Sequence, residues 1–240
     1  MVNEISVGNI SVSCFQSIED VIKHVILNND KVKPGVAIAI NPEKIILSKN
    51  NDEMKEVITK ATLRYPDGMG VSYVMSKKLG KKVARIPGCE LWEQLLLASG
   101  KYNVPVFIVG ASEAVVLLTY QKLIEQGVNV VGYQNGYFDS STREKVIHRI
   151  KESGAKIVSV ALGSPKQEYF MFECRKIVPD AFFMGVGGTY DVFTGNVKRA
   201  PSLFIKCKCE WLYRLLSQPT RVGRQLNLLK YIMLYLRGKL

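Results

Sequence analysis

The sequence predicts an α/β fold, an open parallel sheet with helices on both faces, followed by a basic helical appendage at the C-terminal end. Three observations lead there. From Val104 onward, short apolar runs alternate with amphipathic segments of about a dozen residues, the rhythm of right-handed βαβ units that build a parallel sheet. Two of those runs, Ile157 to Leu162 and Ala181 to Val186, break abruptly into glycine and small polar residues. Strands do this where a ligand crevice opens at the carboxyl edge of a sheet, and equally where a tight turn simply leads into the next helix. Third, the charge is uneven. The chain of 240 residues carries a net +12. Residues 198–240 hold ten Lys and Arg against one acid, Glu210, a net +9 that leaves +3 for the rest. The expected architecture is Rossmann-like, with an α/β domain over 1–197 and the appendage over 198–240.

Taken in order, residues 17–28 read as an amphipathic helix with Ile18, Val21, Ile22, Val25 and Ile26 on one face and His24 on its surface. Gly35 to Ile40 is a strand whose tip presents Asn41, although Asn41-Pro42 is also ordinary turn chemistry. Residues 52–61 form a helix. Leu63 to Gly70 is a stretch rich in Pro and Gly around one carboxylate, so Asp67 reads either as a turn former or as a catalytic base. A helix over 71–79 and a short strand over 81–86 follow, with Arg85 beside Pro87-Gly88, then a helix over 89–98. Strand 104–109 turns at Gly110-Ala111-Ser112, where Ser112 caps helix 113–126 and Gly127 closes it. Strand 128–132 leads through a loop over 134–139 to Ser141-Thr142-Arg143-Glu144, a capping-box pattern for helix 142–153, which ends at Gly154. Strand 156–162, helix 166–177 and strand 181–186 complete the series.

The final helix spans about 220–236. Its stripe of Leu226, Leu229, Ile232, Met233 and Leu236 beside Lys230, Arg237 and Lys239 fits a helix lying on an anionic leaflet. It fits a helix packed on the domain equally well. The longest apolar run nearby, Tyr231 to Leu236, is far short of the roughly 20 residues a spanning helix needs.

Composition narrows the function. The five cysteines are odd in number and irregular in spacing, and no secretory signal precedes them, which suits reduced thiols in a cytoplasm. Cys207-Lys-Cys209 lacks a second Cys or His pair nearby, so no metal is expected there. The turn sequences Gly110-Ala-Ser-Glu and Gly185-Val-Gly187-Gly188-Thr are not the dinucleotide fingerprint, and no Walker lysine motif or Gly-x-Ser-x-Gly elbow occurs. A basic tail on a nearly balanced body points to an anionic partner: nucleic acid, acidic lipid or phosphate. Tail aromatics Trp211, Tyr213, Tyr231 and Tyr235 keep base stacking, and so a nucleic-acid binder, as a rival.

Gly185, Gly187 and Gly188 allow backbone amides close to a ligand, and free amides opening the helix after Gly163-Ser164-Pro165 would favour an anion. Arg221 and Arg224 share a helix face, and with Arg214 their guanidinium forks suit phosphate oxygens. Together these features suit metal-free transfer from a phosphate-activated donor. A carboxylate takes a proton from an incoming hydroxyl, and cations stabilise the departing phosphate.

Pro66-Asp67-Gly68-Met69-Gly70, Gly163-Ser164-Pro165-Lys166-Gln167-Glu168, the run from Gly185 to Gly195, Lys198-Arg-Ala-Pro201 and Glu210-Trp-Leu-Tyr-Arg-Leu-Leu216 occur in that order. From about residue 35 to the C-terminus the chain resembles the WecG/TagA/CpsF glycosyltransferase family. Gly-Thr-Tyr-Asp-Val-Phe-Thr-Gly and Arg-Leu-Leu-Ser-Gln-Pro look closest to the WecG branch. The resemblance implies inverting, cofactor-free and metal-independent transfer of N-acetyl-D-mannosaminuronic acid from its UDP derivative to GlcNAc-pyrophosphoryl-undecaprenol, a step of enterobacterial common antigen synthesis. Sibling branches moving N-acetylmannosamine or glucose are the alternative. The work would be done peripherally, at the anionic cytoplasmic face of the inner membrane. No specific nucleic acid is implied, and assembly of identical chains stays open.

By the same resemblance Asp67 is the general base for the acceptor hydroxyl and Gln167 a polar residue near the sugar. Asn41, Arg85, Gly110, Gly187, Gly188 and Asp191 belong to the substrate pocket. Arg214, Arg221 and Arg224 close over the pyrophosphate. One departure stands out: the TagA branch carries Thr two residues before the motif asparagine, where this chain has Ala39. A uronate donor also adds a carboxylate, which Arg85 is suited to accept.

Overall fold

The computed structural model describes residues 3–23, 27–28, 31–197 and 222–240. Its centre is a six-stranded sheet in which every strand is parallel to its neighbours. In chain order the strands are β5 (Gly35–Ile40), β6 (Leu63–Pro66), β7 (Val106–Gly110), β8 (Val130–Gln134), β9 (Ile157–Ala161) and β10 (Phe182–Gly185), and in space they run β6-β5-β10-β9-β7-β8. β5, β7, β9 and β10 are buried along their whole length, which is why they read as unbroken apolar runs rather than alternating ones. The last strand in sequence sits near the middle of the sheet, so the core closes only when β10 inserts between β5 and β9.

Successive side chains on these strands pack into two apolar layers. Val36, Ile38 and Ile40 join the layer of α2 (Pro42–Asn50), α3 (Asp52–Lys60), α4 (Met69–Leu79), α7 (Ser140–Glu152) and α8 (Lys166–Ile177). Ala37 and Ala39 join the layer of α1 (Ile18–Val21), α5 (Gly88–Lys101), α6 (Glu113–Glu125) and α9 (Thr189–Thr194). Helices therefore cover both faces, as the sequence predicts. The period-two split of one strand between two cores is the physical signature of a sandwiched parallel sheet. On the second face, Trp92 Nε1 and the Tyr190 hydroxyl both donate to the buried Ser159 Oγ on β9, each at 2.8 Å.

Several expectations change. Of the helix expected over 17–28, α1 covers Ile18–Val21, and Leu27–Asn28 (β3) instead pairs antiparallel with Lys31–Val32 (β4). Val21 and Ile22, both β-branched, favour a helix less than straight-chain residues do. His24 lies outside the described residues. Residues 81–86 form no strand: Ile86 N reaches Pro66 O at 2.8 Å, but the chain turns at Pro87 into α5 before a ladder grows. Helix α7 is capped by Asp139, with Thr142 completing the box, rather than from Ser141.

Four features were not predicted. The hairpin β1 (Glu4–Val7) and β2 (Ile10–Ser13) turns on Gly8 and Asn9, both left-handed, as a two-residue hairpin loop of that hand requires. Helix α2 starts directly at Pro42, β6 occupies part of the stretch read as turn, and α9 follows Gly188. The boundary placed after residue 197 falls where the description stops.

The final helix, α10 (Val222–Leu236), packs against α2, its buried Tyr231 ring lies 3.1 Å from where a Cβ on Gly70 would be, and the Tyr235 ring meets Tyr73 edge-on at 5.8 Å. Its opposite face exposes Leu226, Leu229, Ile232, Met233 and Leu236. The final helix is thus both a packed helix and one with an apolar stripe facing outward. Among the described residues no helix is long and apolar enough to cross a membrane.

Candidate active site

The helix after β10 leaves on one face, and those after its neighbours β5 and β9 leave on the other. Such a reversal opens a crevice at the carboxyl ends of the strands. Asp67 stands there, one residue beyond β6. Its N–H donates to Ile40 O at 3.0 Å. A Cβ on the next residue, Gly68, would lie 2.6 Å from Pro42 Cδ, so the Asp67 turn rests directly on the start of α2, and only glycine fits. The carboxylate Oδ1 accepts from Gly88 N, the first residue of α5, at 3.1 Å. Arg85 Nε donates to Asp67 O at 2.6 Å, and its Nη2 is 3.9 Å from Oδ1. Both side chains keep more than a quarter of their surface exposed. The structure thus gives Asp67 a fixed direction and access to solvent, so that a substrate hydroxyl can reach it, and the Arg85 guanidinium beside it favours its charged form.

Below the carboxylate, Tyr65 is fully buried and its hydroxyl has no hydrogen-bond partner among the described residues. It lies 3.1 Å from where a Cβ on Gly88 would be. Burial, with Asp67, Cys89 and Glu168 nearby, pushes this phenol well above its ordinary value.

Asn41 Oδ1 accepts from Lys44 N at 2.9 Å. It is the N-cap of α2, and Pro42 takes the first helical position, where its missing N–H costs nothing. The residue expected at the strand tip is present there, with its side-chain oxygen committed to the helix. Gln167 is buried as well. Its Nε2 donates to Glu168 Oε1 at 3.1 Å, and its Oε1 accepts from Gly187 N at 3.0 Å. Two of the amides expected to be open to an anion at the start of α8, Gln167 N and Glu168 N, already donate to Gly163 O and Pro165 O. Glu168 forms a buried ion pair with Lys44 Nζ at 2.8 Å. Burial opposes its charge, but Lys44, Gln167 and Ser164 outweigh that and hold its carboxyl below the ordinary range.

Gly187 and Gly188 have open space where a Cβ would be, and Gly187 is left-handed at φ +55°. Gly110 differs: a Cβ there would lie 2.4 Å from Ala161 O, so this glycine serves close strand packing between β7 and β9. Asp191, in the first turn of α9, accepts from Asn196 Nδ2 at 2.8 Å, and its carbonyl takes Val197 N at 2.9 Å. Arg214 and Arg221 lie outside the described residues. Arg224 falls in the first turn of α10, and its side chain is also outside them.

A cleft of about 490 Å³ opens beside these turns, between α5, α6 and α9. It includes Cys89 and Thr189, the immediate neighbours of Gly88 and Gly188, but not Asp67, Arg85, Asn41 or Gln167. The structure therefore brings together Asn41, Asp67, Arg85, Gln167 and the Gly187-Gly188 turn, and sets Gly110 against Ala161 at the end of β7. Lys44, Glu168 and Tyr65 are the members that sequence reasoning missed. Glu168 stood in a quoted motif, and a lone cation three residues after Asn41 was the only signal for Lys44.

Residues 5–240 match the family model described as Glycosyl transferase WecG/TagA/CpsF family.

Proposed function

Since the chain belongs to the WecG/TagA/CpsF glycosyltransferase family and so moves a sugar from a donor to an acceptor, we propose that the donor is UDP-N-acetyl-D-mannosaminuronic acid and the acceptor GlcNAc-pyrophosphoryl-undecaprenol. The observation that carries this reading is the Asp67 carboxylate, half-open at the sheet's carboxyl edge and aimed by Gly88 N. In the proposed step Asp67 removes the proton of the acceptor hydroxyl. The oxygen forms a bond to the anomeric carbon opposite the nucleotide. The bond from that carbon to the pyrophosphate breaks, and its electron pair leaves on UDP. Inversion follows from the single displacement. The open face at Gly187 and Gly188 gives the donor a close backbone approach, and Arg214, Arg221 and Arg224 neutralise the departing diphosphate.

Arg85 supports the uronate assignment. Its guanidinium lies beside the base and is partly exposed, where a donor carboxylate can meet it. The outward apolar stripe of α10, flanked by exposed Lys230 and Arg237, supports docking on an anionic membrane surface at the cytoplasmic face, where a polyprenyl acceptor resides.

The test offers the purified protein a GlcNAc-pyrophosphoryl-lipid with UDP-N-acetylmannosaminuronic acid or UDP-N-acetylmannosamine, each with and without EDTA. Product from the uronate donor alone, insensitive to EDTA, is the expected result. Product from the uncharged donor alone moves the chain to a sibling branch. Loss of activity in EDTA overturns the metal-free step.

A further inference from the structure

Lys44 and Glu168 are 5% and 0% exposed, and neither touches a reacting group in the step above. A buried ion pair is a poor source of stability, because desolvation offsets its attraction. Its position suggests a different use. Lys44 is on the first turn of α2, whose Pro42 carries the Asp67 turn through Gly68. Glu168 is on the first turn of α8, beside Gln167. The pair therefore spans from the elements that hold the carboxylate to those that hold the glycine turn. A primary amide can face either way. Here Glu168 Oε1 can only accept, so it takes Gln167 Nε2 at 3.1 Å and turns Gln167 Oε1 towards Gly187 N at 3.0 Å. Lys44 in turn holds that same Glu168 oxygen at 2.8 Å.

We infer that Lys44 and Glu168 are positioning residues for the transfer reaction: through the orientation of the Gln167 amide they fix the Gly187-Gly188 turn against the Asp67 turn. The inference rests on the proposed function for its kinetic part and on geometry alone for the rest. Misplacing reacting groups by about 1 Å can cost roughly 10²-fold in rate, so a device that fixes the crevice acts on turnover more than on folding.

Two double variants of the full chain separate positioning from stability. Lys44→Met/Glu168→Leu replaces the pair with apolar side chains of similar size, which folds tolerate well, and leaves Gln167 Nε2 without an acceptor. Lys44→Met/Glu168→Gln also removes both charges but keeps a carbonyl acceptor at residue 168. Three quantities are read: the melting temperature, hydrogen exchange at the Gly187 amide, and kcat and KM with saturating acceptor. We expect the Gln variant to melt close to the parent and the Leu variant to melt lower, by the cost of one buried donor without an acceptor. In the Leu variant Gly187 should exchange at least ~10-fold faster and kcat should fall by ~10- to 10²-fold, with the Gln variant near the parent in both. Equal kcat and equal Gly187 exchange in the two variants would overturn the inference. Should the Leu variant not fold, Gln167→Leu keeps the ion pair and removes the acceptor of Gly187 N. Unchanged exchange at Gly187 in that variant would overturn the inference equally. Exchange needs no substrate, so faster Gly187 exchange alongside an inactive parent would refute the proposed donor and acceptor while leaving the positioning role standing.

Discussion

Asp67 could be read from the sequence because Pro and Gly bracket a single carboxylate, and its role depends on neighbours that the sequence does not pair with it. Gly88 N aims one oxygen, and Arg85 sits beside it from a segment 18 residues on. Replacing it as Asp67→Asn keeps the shape and removes the proposed proton acceptor. Turnover should fall by ~10² to 10⁴-fold while calorimetric titration shows UDP binding unchanged. A buried polar group on β9 works purely on the fold. Ser159 Oγ accepts from both Trp92 Nε1 and the Tyr190 hydroxyl, joining β9 to α5 and α9. Ser159→Ala leaves the buried Trp92 Nε1 without its acceptor, while the Tyr190 hydroxyl keeps Ser159 O at 2.9 Å, and should lower unfolding free energy by about 1–3 kcal/mol, read by urea denaturation. Gly187 and Gly188 were legible as glycines at a strand end. That Gln167 serves one of them was not, because the partners are 20 residues apart.

The central strands were legible as elements because burial on both faces leaves an unbroken apolar signature. Edge and terminal pieces were not. β6 is short and ends in proline, so its sequence resembles a turn, and α2 begins so soon after β5 that Asn41-Pro42 reads as a turn and not as a cap and first residue. The turn between β10 and α9 makes its own prediction. Gly188 has ordinary φ and open space at its Cβ position, so Gly188→Leu should fold with stability within about 0.5 kcal/mol of the parent. Its side chain would project into the crevice, and the dissociation constant for UDP should rise at least ~10-fold if the donor lies there. Helix α10 makes another. Leu229 and Met233 are 58% and 49% exposed on one face, and burying such side chains contributes up to about 1.5–3 kcal/mol each. The double variant Leu229→Glu/Met233→Glu should therefore keep its melting temperature and sediment with anionic vesicles at least ~10-fold more weakly.

Across the whole molecule, the buried Lys44–Glu168 pair links acid stability to the crevice. The Glu168 carboxyl lies below its ordinary value of 4.5 in the folded chain. A lowered carboxyl contributes stability that is complete above the unfolded value and is lost as pH falls through the folded one. Urea midpoints should accordingly fall as pH drops below about 4.5, and fall less steeply in Lys44→Met/Glu168→Leu, measured by fluorescence at a series of pH values. By itself, the sequence determined the α/β class, the strands with their glycine-rich ends, the carboxylate at Asp67 and the basic, stripe-bearing final helix. All of these are written in local period, local turn chemistry or local charge. Only the tertiary structure decided that β10 lies between β5 and β9, that Gly110 lies hard against Ala161, and that Lys44, Gln167 and Glu168 meet behind the crevice. Those outcomes depend on contacts between residues far apart in the chain, which no local pattern encodes and which form only when the sheet closes.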